Sequence, residues 1–298
     1  MLSGLTFLTI EIGINPEIRE LGPLTLTWHG VFTALGIAAG VYLAVIVGRR
    51  QGFLEDDIYS AALIVIPAGI VGARALYVIE RWGNFSDDLL GILRINEGGI
   101  SVYGALLGGL AGAMIYFGIR RLPIRRALDV AALGALLGMS IGRIGDIING
   151  EHFSELSGLP WAVRYTHLNN PSVFGHPLDE CVLGSVGQKL CSQHPTVGYE
   201  LLGGLLILGL LFVIMRFARR DGVTAFSFLF LYALMRFGAS ELRLDSREIF
   251  AGLTTPQVTA LFFIPIAALG LLYCWRQAPS EAQPASPDAV PASGSSGR

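Results

Sequence analysis

The chain has 298 residues, of which 52% are hydrophobic and only 15% charged, and its mean hydropathy is +0.58. Soluble domains usually carry about 25% charged residues, so this deficit argues against an ordinary soluble domain and makes lipid the main solvent. The formal net charge of −2, with no basic stripe, excludes a nucleic acid or other polyanion as the expected partner.

The N-terminus has no basic n-region followed by a small-residue cleavage site, so no removable signal peptide is expected. Apolar runs long enough to cross about 30 Å of hydrocarbon then follow near 27–48, 58–80, 98–119, 127–148, 198–217, 223–241 and 256–275. Several are rich in small residues, as in Gly104–Gly112 and Ala131–Gly138, which lets membrane helices approach closely. The predicted fold is therefore an all-α membrane protein of about seven transmembrane helices. Residues 1–277 make one integral domain, with an external loop or arm at about 150–197. Residues 278–298, rich in Pro, Ala and Ser, read as a disordered cytoplasmic tail.

Seven alternating spans place Arg49 and Arg50, then Arg120, Arg121, Arg125 and Arg126, then Arg216, Arg219 and Arg220, and finally Arg276 on one side. By the positive-inside rule that side is cytoplasmic, the N-terminus is outside and the C-terminus inside. Cys181 and Cys191 then lie in the external loop, where a disulfide between them is permitted. No Cys/His spacing predicts a metal site.

An ionisable residue within a span costs about 2.5–3.5 kcal/mol on insertion scales and is a functional candidate by default. Four places qualify. The foremost is Gly142–Glu151, where Arg143, Asp146 and Asn149 recur every third residue and share a helical face. The second is Arg236, followed by Glu241 and Arg243. The third is Arg74 with Tyr77. The last is His29, beside Trp28 at the start of the first span. Blander readings compete at each. Arg143 and Asp146 can form a self-satisfying ion pair, and Arg74 can snorkel to the interface. His29 suits an interfacial aromatic belt better than a base, and Tyr232 can be a packed tyrosine. Several arginines at one depth, exceeding what Asp146, Glu151 and Glu241 neutralise, point instead to a phosphate, because the guanidinium fork binds phosphate bidentately. At that depth the abundant phosphate is a phospholipid headgroup.

Gly142-Arg143-Ile144-Gly145-Asp146-Ile147-Ile148-Asn149-Gly150-Glu151 resembles the signature G-R-x-G-N-F-x-N-G-E of the bacterial prolipoprotein diacylglyceryl transferase family. The likeness extends over roughly residues 20–275. Gly22-Pro23 through Trp28-His29-Gly30 resembles the family's opening, where a Tyr commonly stands at position 29. Residues 98–108 resemble its G-G-x-x-x-H-G-x-L-x-G stretch. His194-Pro195-Thr196 with Tyr199-Glu200 resembles its H-P-[ST]-Q-x-Y-E element, and Tyr232, Arg236 and Arg243 its late Y-x-x-x-R segment. Four motif positions differ: Tyr103 stands for His, Asp146 for Asn, Val197 for Gln, and Ser240 for Glu, with Glu241 displaced by one.

The resemblance implies transfer of the diacylglyceryl group of phosphatidylglycerol to the lipobox cysteine of a prolipoprotein, the first step of bacterial lipoprotein maturation. The alternative is a diverged member that binds or transfers a different lipid, or is catalytically impaired. It further implies a multi-pass protein of the bacterial cytoplasmic (inner) membrane, with the lipid bilayer and a prolipoprotein signal peptide as partners. No cofactor, metal or nucleic acid is expected, and a monomer is the default. Arg143, Arg236, Tyr103 and Glu151 are the expected catalytic residues. Arg143, Asp146, Asn149, His29, Arg74, Tyr232 and Arg243 are the expected lipid-binding set. Within these, Arg143 and Arg236 hold the phosphate, while Glu151 and Asn149 orient the arginines or the headgroup hydroxyls.

Overall fold

Each of the seven predicted spans is a helix: α1 (Trp28–Arg50), α2 (Glu55–Glu80), α3 (Val102–Ile119), α4 (Ile124–Asn149), then, after a short α5 (Pro171–Gly175), α6 (Thr196–Ala218), α7 (Val223–Ser240) and α8 (Thr255–Arg276). These elements come from a computed structural model, which describes residues 9–22, 24–86, 88–94, 99, 101–178, 181–184, 186–246 and 248–279. The predicted tail at 278–298 lies almost wholly outside the described residues. So do Pro23, Gly98 and Ile100 of the motif stretches. Among the described residues, six helices are long and apolar enough to cross a membrane, and α3 is a shorter apolar helix. Only 17–44% of each apolar window is buried, so most of the leucine, isoleucine and phenylalanine surface faces outward. That is the arrangement expected when lipid is the solvent, and the chain is a multi-pass membrane protein.

The chain forms two compact units, one from Met1–Gly40 with Ala132–Pro279 and the other, among the described residues, from Val41–Ala131. In the second unit α2 packs on α3 with Gly72 against the backbone of Gly104 and Gly108. Arg74, on the same helix, is buried, and its guanidinium donates to the carbonyls of Ile92 (2.8 Å), Gly99 (2.7 Å) and Gly91 (2.6 Å). It also lies over the rings of Tyr77 and Phe85. Arg74 thereby latches the 3-10 turn Leu89–Leu93 of the α2–α3 connection.

In the first unit α1 meets α4 through facing small residues. A Cβ on Gly36 would come within 2.5 Å of the Gly138 carbonyl oxygen, and one on Gly40 equally close to that of Gly134. Any larger side chain would force the helices apart, which is why small residues mark this crossing.

The loop predicted at 150–197 is a folded arm. Strand Val163–Tyr165 pairs in parallel with Ile10–Ile12 from the N-terminus, and Val163, Tyr165 and Val173 make a small core with Ile12 against it. A hairpin, Glu17–Leu21 with Leu24–Thr27, leads into α1. The arm also finishes α4. A helix leaves its last carbonyls without intrahelical partners. Here Tyr165 donates to Ile147 O (2.9 Å), Asn170 to Ile148 O (3.3 Å), and the Ser172 amide and hydroxyl to Gly150 O. Burial pushes the Tyr165 phenol up, so it remains a neutral donor. Gly150 has φ +63°, a left-handed conformation that glycine adopts without a Cβ penalty.

Cys181 and Cys191 are joined by a disulfide, closing the hairpin Val182–Leu183 with Lys189–Leu190. With a sequence separation of ten between the half-cystines, the cross-link contributes about 2–3 kcal/mol by loop entropy. Cys191→Ser is expected to make residues 182–190 markedly more sensitive to protease in the membrane-embedded protein. Equal protease resistance of variant and wild type would contradict this.

Candidate active site

The first unit gathers the ends of four of its long helices: the start of α1, the end of α4, the start of α6 and the end of α7. At their meeting point stands Glu200, whose side chain is 1% exposed. A carboxylate so deep in an apolar setting is tolerated only when paired. Glu200 pairs with three arginines. Arg143 Nη2 lies 2.8 Å from Oε2, Arg243 Nη1 donates to Oε1 at 3.1 Å, and Arg236 Nη1 donates to Oε1. The Arg143 contact is an ion pair without hydrogen-bond alignment, since Oε2 accepts no well-directed bond.

A second carboxylate extends the group. Asp146 is buried and accepts from Arg143 Nη1 at 2.7 Å, so the i, i+3 pair foreseen on this helix face forms. Its other oxygen lies 2.5 Å from His29 Nδ1. A third, Asp245, accepts from Arg243 Nε (2.9 Å) and Nη2 (2.5 Å) and lies 2.7 Å from His152 Nδ1. Burial alone would push Asp245 up. The hydrogen bonds from His152 and Arg243 outweigh that and hold its carboxyl well below the usual carboxylate range.

These pairings correct two expectations. The three arginines do not leave an uncompensated positive field, because Glu200, Asp146 and Asp245 supply three buried or half-buried carboxylates. Nor does Glu151 orient them. It is exposed, with Oε1 3.9 Å from His29 Nδ1, while Glu200, the fifth residue of α6, is the carboxylate that contacts all three arginines. Glu200, the partner shared by all three arginines, comes from an element far from each of them in sequence. The signal available was Glu200 itself, a carboxylate just inside an apolar run. Glu241 turns away and accepts from Gln257 Nε2 at 2.7 Å. Ser240 donates back to Arg236 O at 2.8 Å, so the carboxylate facing Arg236 comes from α6.

Arg143, Arg236, Arg243, Asp146 and His29 thus come together, with Glu200 at their centre. Beside them lies a small open cleft lined by Leu136, Met139, Ser140, Arg143, Glu200, Gly204, Tyr232 and Met235. Its walls are largely apolar, with Arg143 and Glu200 on one side. Asn149 Oδ1 is buried and accepts no hydrogen bond among the described residues. Arg243 is tied down on all three nitrogens, whereas Arg236 makes one ion pair among the described residues. Tyr103 and Arg74 belong to the second unit. Tyr103 is half-buried in the first turn of α3, and Arg74 is engaged by backbone carbonyls.

Two side-chain groups have metal-ligand character. In His176, Cys181 and Cys191 both sulfurs are spent in the disulfide. In His29, Asp146 and Glu151 both Asp146 oxygens are already engaged by Arg143 and His29, an arrangement better suited to holding a proton than a cation.

The prolipoprotein diacylglyceryl transferase family model matches residues 16–273 of the chain. A phosphatidylglycerol–prolipoprotein diacylglyceryl transferase of Halalkalibacterium halodurans is 33% identical over 87% of this chain and 85% of its own length. A relative of the same name from Symbiobacterium thermophilum is also 33% identical, over 90% and 95%. One from Bacillus licheniformis is 31% identical, over 89% and 94%.

Proposed function

The chain belongs to the prolipoprotein diacylglyceryl transferase family, and from that premise we propose that it moves the diacylglyceryl group of phosphatidylglycerol onto the lipobox cysteine thiol of a prolipoprotein. The observation that carries this reading is the cluster of Arg143, Arg236 and Arg243 around buried Glu200, opening on an apolar cleft. Departure of glycerol phosphate builds negative charge on oxygen, and preorganised guanidinium donors in a dry site stabilise that charge as it develops. Arg143 and Arg236 take the phosphate. Glu200 and Arg243 hold them in place. The cleft walls, including Tyr232, receive the glyceryl and acyl portion, and Asn149 Oδ1 accepts from a headgroup hydroxyl.

The arginine-rich loops support an outside N-terminus and a cytoplasmic C-terminus. With that orientation the site lies toward the outer leaflet of the bacterial inner membrane, where a translocated signal peptide presents its cysteine. The test is expression of the chain in bacteria depleted of their own transferase, following a reporter prolipoprotein for the mobility shift of lipidation. Rescue is the expected result. Good membrane accumulation without any lipidated reporter would defeat the reading.

A further inference from the structure

The transfer needs a group to take the proton from the acceptor thiol, because the thiolate is the competent nucleophile and an unperturbed cysteine, with pKa ~8.5, is mostly protonated at neutral pH. His29 has the geometry for that role. It sits in the first turn of α1 with Nδ1 2.5 Å from Asp146 Oδ1. Asp146 is held from its other oxygen by Arg143 at 2.7 Å. The imidazole is bounded on one side by protein and 45% exposed on the other, and its Nε2 has no hydrogen-bond partner among the described residues. A carboxylate on Nδ1 fixes the tautomer: the proton resides on Nδ1 and the lone pair on Nε2, directed to the open side.

The backbone keeps this pair in register. A Cβ on Gly145 would meet His29 Cα at 2.7 Å and Trp28 O at 3.0 Å, so α4 touches α1 one residue before Asp146. His152 is the other imidazole in the group, but its Nδ1 lies between Asp245 and Arg243, each at 2.7 Å. His152 also turns its Nε2 toward Asp146, 3.9 Å from Oδ2, and its side chain is only 20% exposed, whereas the His29 ring is 45% exposed and bonded only through Nδ1 among the described residues. Both members of the pair are departures from the family motifs, which carry Tyr and Asn there. Asp146 consequently does not turn bare charge toward a phosphate: its two oxygens are spent on Arg143 and His29.

We infer that His29, oriented by Asp146, is the general base for the acceptor thiol, an assignment that rests on the proposed transfer. The thiol proton passes to Nε2, and the sulfur lone pair forms the S–C bond to the terminal glyceryl carbon. The C–O bond to phosphate breaks, and its electron pair leaves with glycerol phosphate. The imidazolium, facing Asp146, then returns its proton to the leaving phosphate or to water. Nothing is oxidised or reduced.

The experiment uses the full chain in phosphatidylglycerol vesicles with a synthetic lipobox peptide, comparing wild type with His29→Gln. At pH 7 kcat is expected to fall by about 10²–10⁴-fold, the usual worth of a positioned base, with the KM for phosphatidylglycerol within a few-fold. The deficit should narrow as pH rises past ~8.5, where the peptide thiol ionises unaided. The charged groups facing His29 are Asp146, Arg143 and Glu151, and carboxylates and guanidiniums as classes titrate far outside that window. A deficit of the same size at every pH marks a structural role and overturns the assignment, as does a variant that keeps the wild-type rate. Loss of the wild-type rate on chelation overturns it in favour of a bound cation. A wild-type chain that modifies no peptide defeats the transfer reading itself, which separates the two failures.

Discussion

Arg143→Ala is expected to abolish lipidation of a reporter prolipoprotein in transferase-depleted cells while the chain still accumulates in the membrane. The expected size is set by what Arg143 touches. It bridges Asp146 through Nη1 at 2.7 Å and Glu200 through Nη2 at 2.8 Å, and it forms part of the cleft wall. Loss of one donor aimed at developing charge costs about 10²–10³-fold in turnover. Here the same change also releases two carboxylates next to an incoming phosphate, so the loss should reach at least the upper end. Arg143→Lys is expected to recover little, because an ammonium is a compact point charge and not a planar fork that reaches two carboxylates at once. Initial rates in vesicles check both variants. An Arg143→Ala rate within threefold of wild type would remove Arg143 from the phosphate site.

The second large effect is expected at Glu200. Glu200→Ala leaves Arg143, Arg236 and Arg243 with no carboxylate between them, and breaking a buried ion group from one side costs about 3–5 kcal/mol. For a chain of this size that corresponds to a fall in Tm on the order of 10 °C in detergent, together with loss of transfer. The double variant Glu200→Gln, Arg236→Gln separates the two consequences. Removing an arginine with the carboxylate relieves the charge imbalance, so thermal stability should return in part while activity stays absent. A Glu200→Ala protein that melts with wild type would show that the arginines are not held as the ion pairs require.

The helices were readable in advance because apolar length is a local property. α4 and α6 begin and end within a few residues of the predicted runs, and the small residues of Ala131–Gly138 mark close packing by composition alone. Arg143 and Arg236 were readable for a related reason, since an arginine in an apolar run stands out wherever it lies. Their partners were not. Glu200 meets Arg143 from 57 residues further along, and sequence spacing said nothing about which guanidiniums it would face. His29 was weighed as an aromatic-belt residue because its partner, Asp146, lies 117 positions away. Arg74 shows the opposite difficulty: its buried charge is satisfied by carbonyl oxygens of a nearby turn, and no sequence pattern announces a backbone acceptor. The arm failed to read as structure because its strands have only two or three residues, too short for an alternating pattern to emerge.

The arm's bonds to the end of α4 bear on when the enzyme becomes competent during synthesis. Tyr165, Asn170 and Ser172 satisfy the carbonyls of Ile147, Ile148 and Gly150, yet they are made 18–22 residues after them. Glu200 follows later still, and Arg236 and Arg243 come last. A nascent chain with α4 already in the bilayer therefore carries Arg143 and Asp146 without the cap that ends their helix and without the carboxylate that gathers the arginines. The site is an assembly product of the final third of the polypeptide, and truncated chains released early would be inert toward lipid and not loosely active.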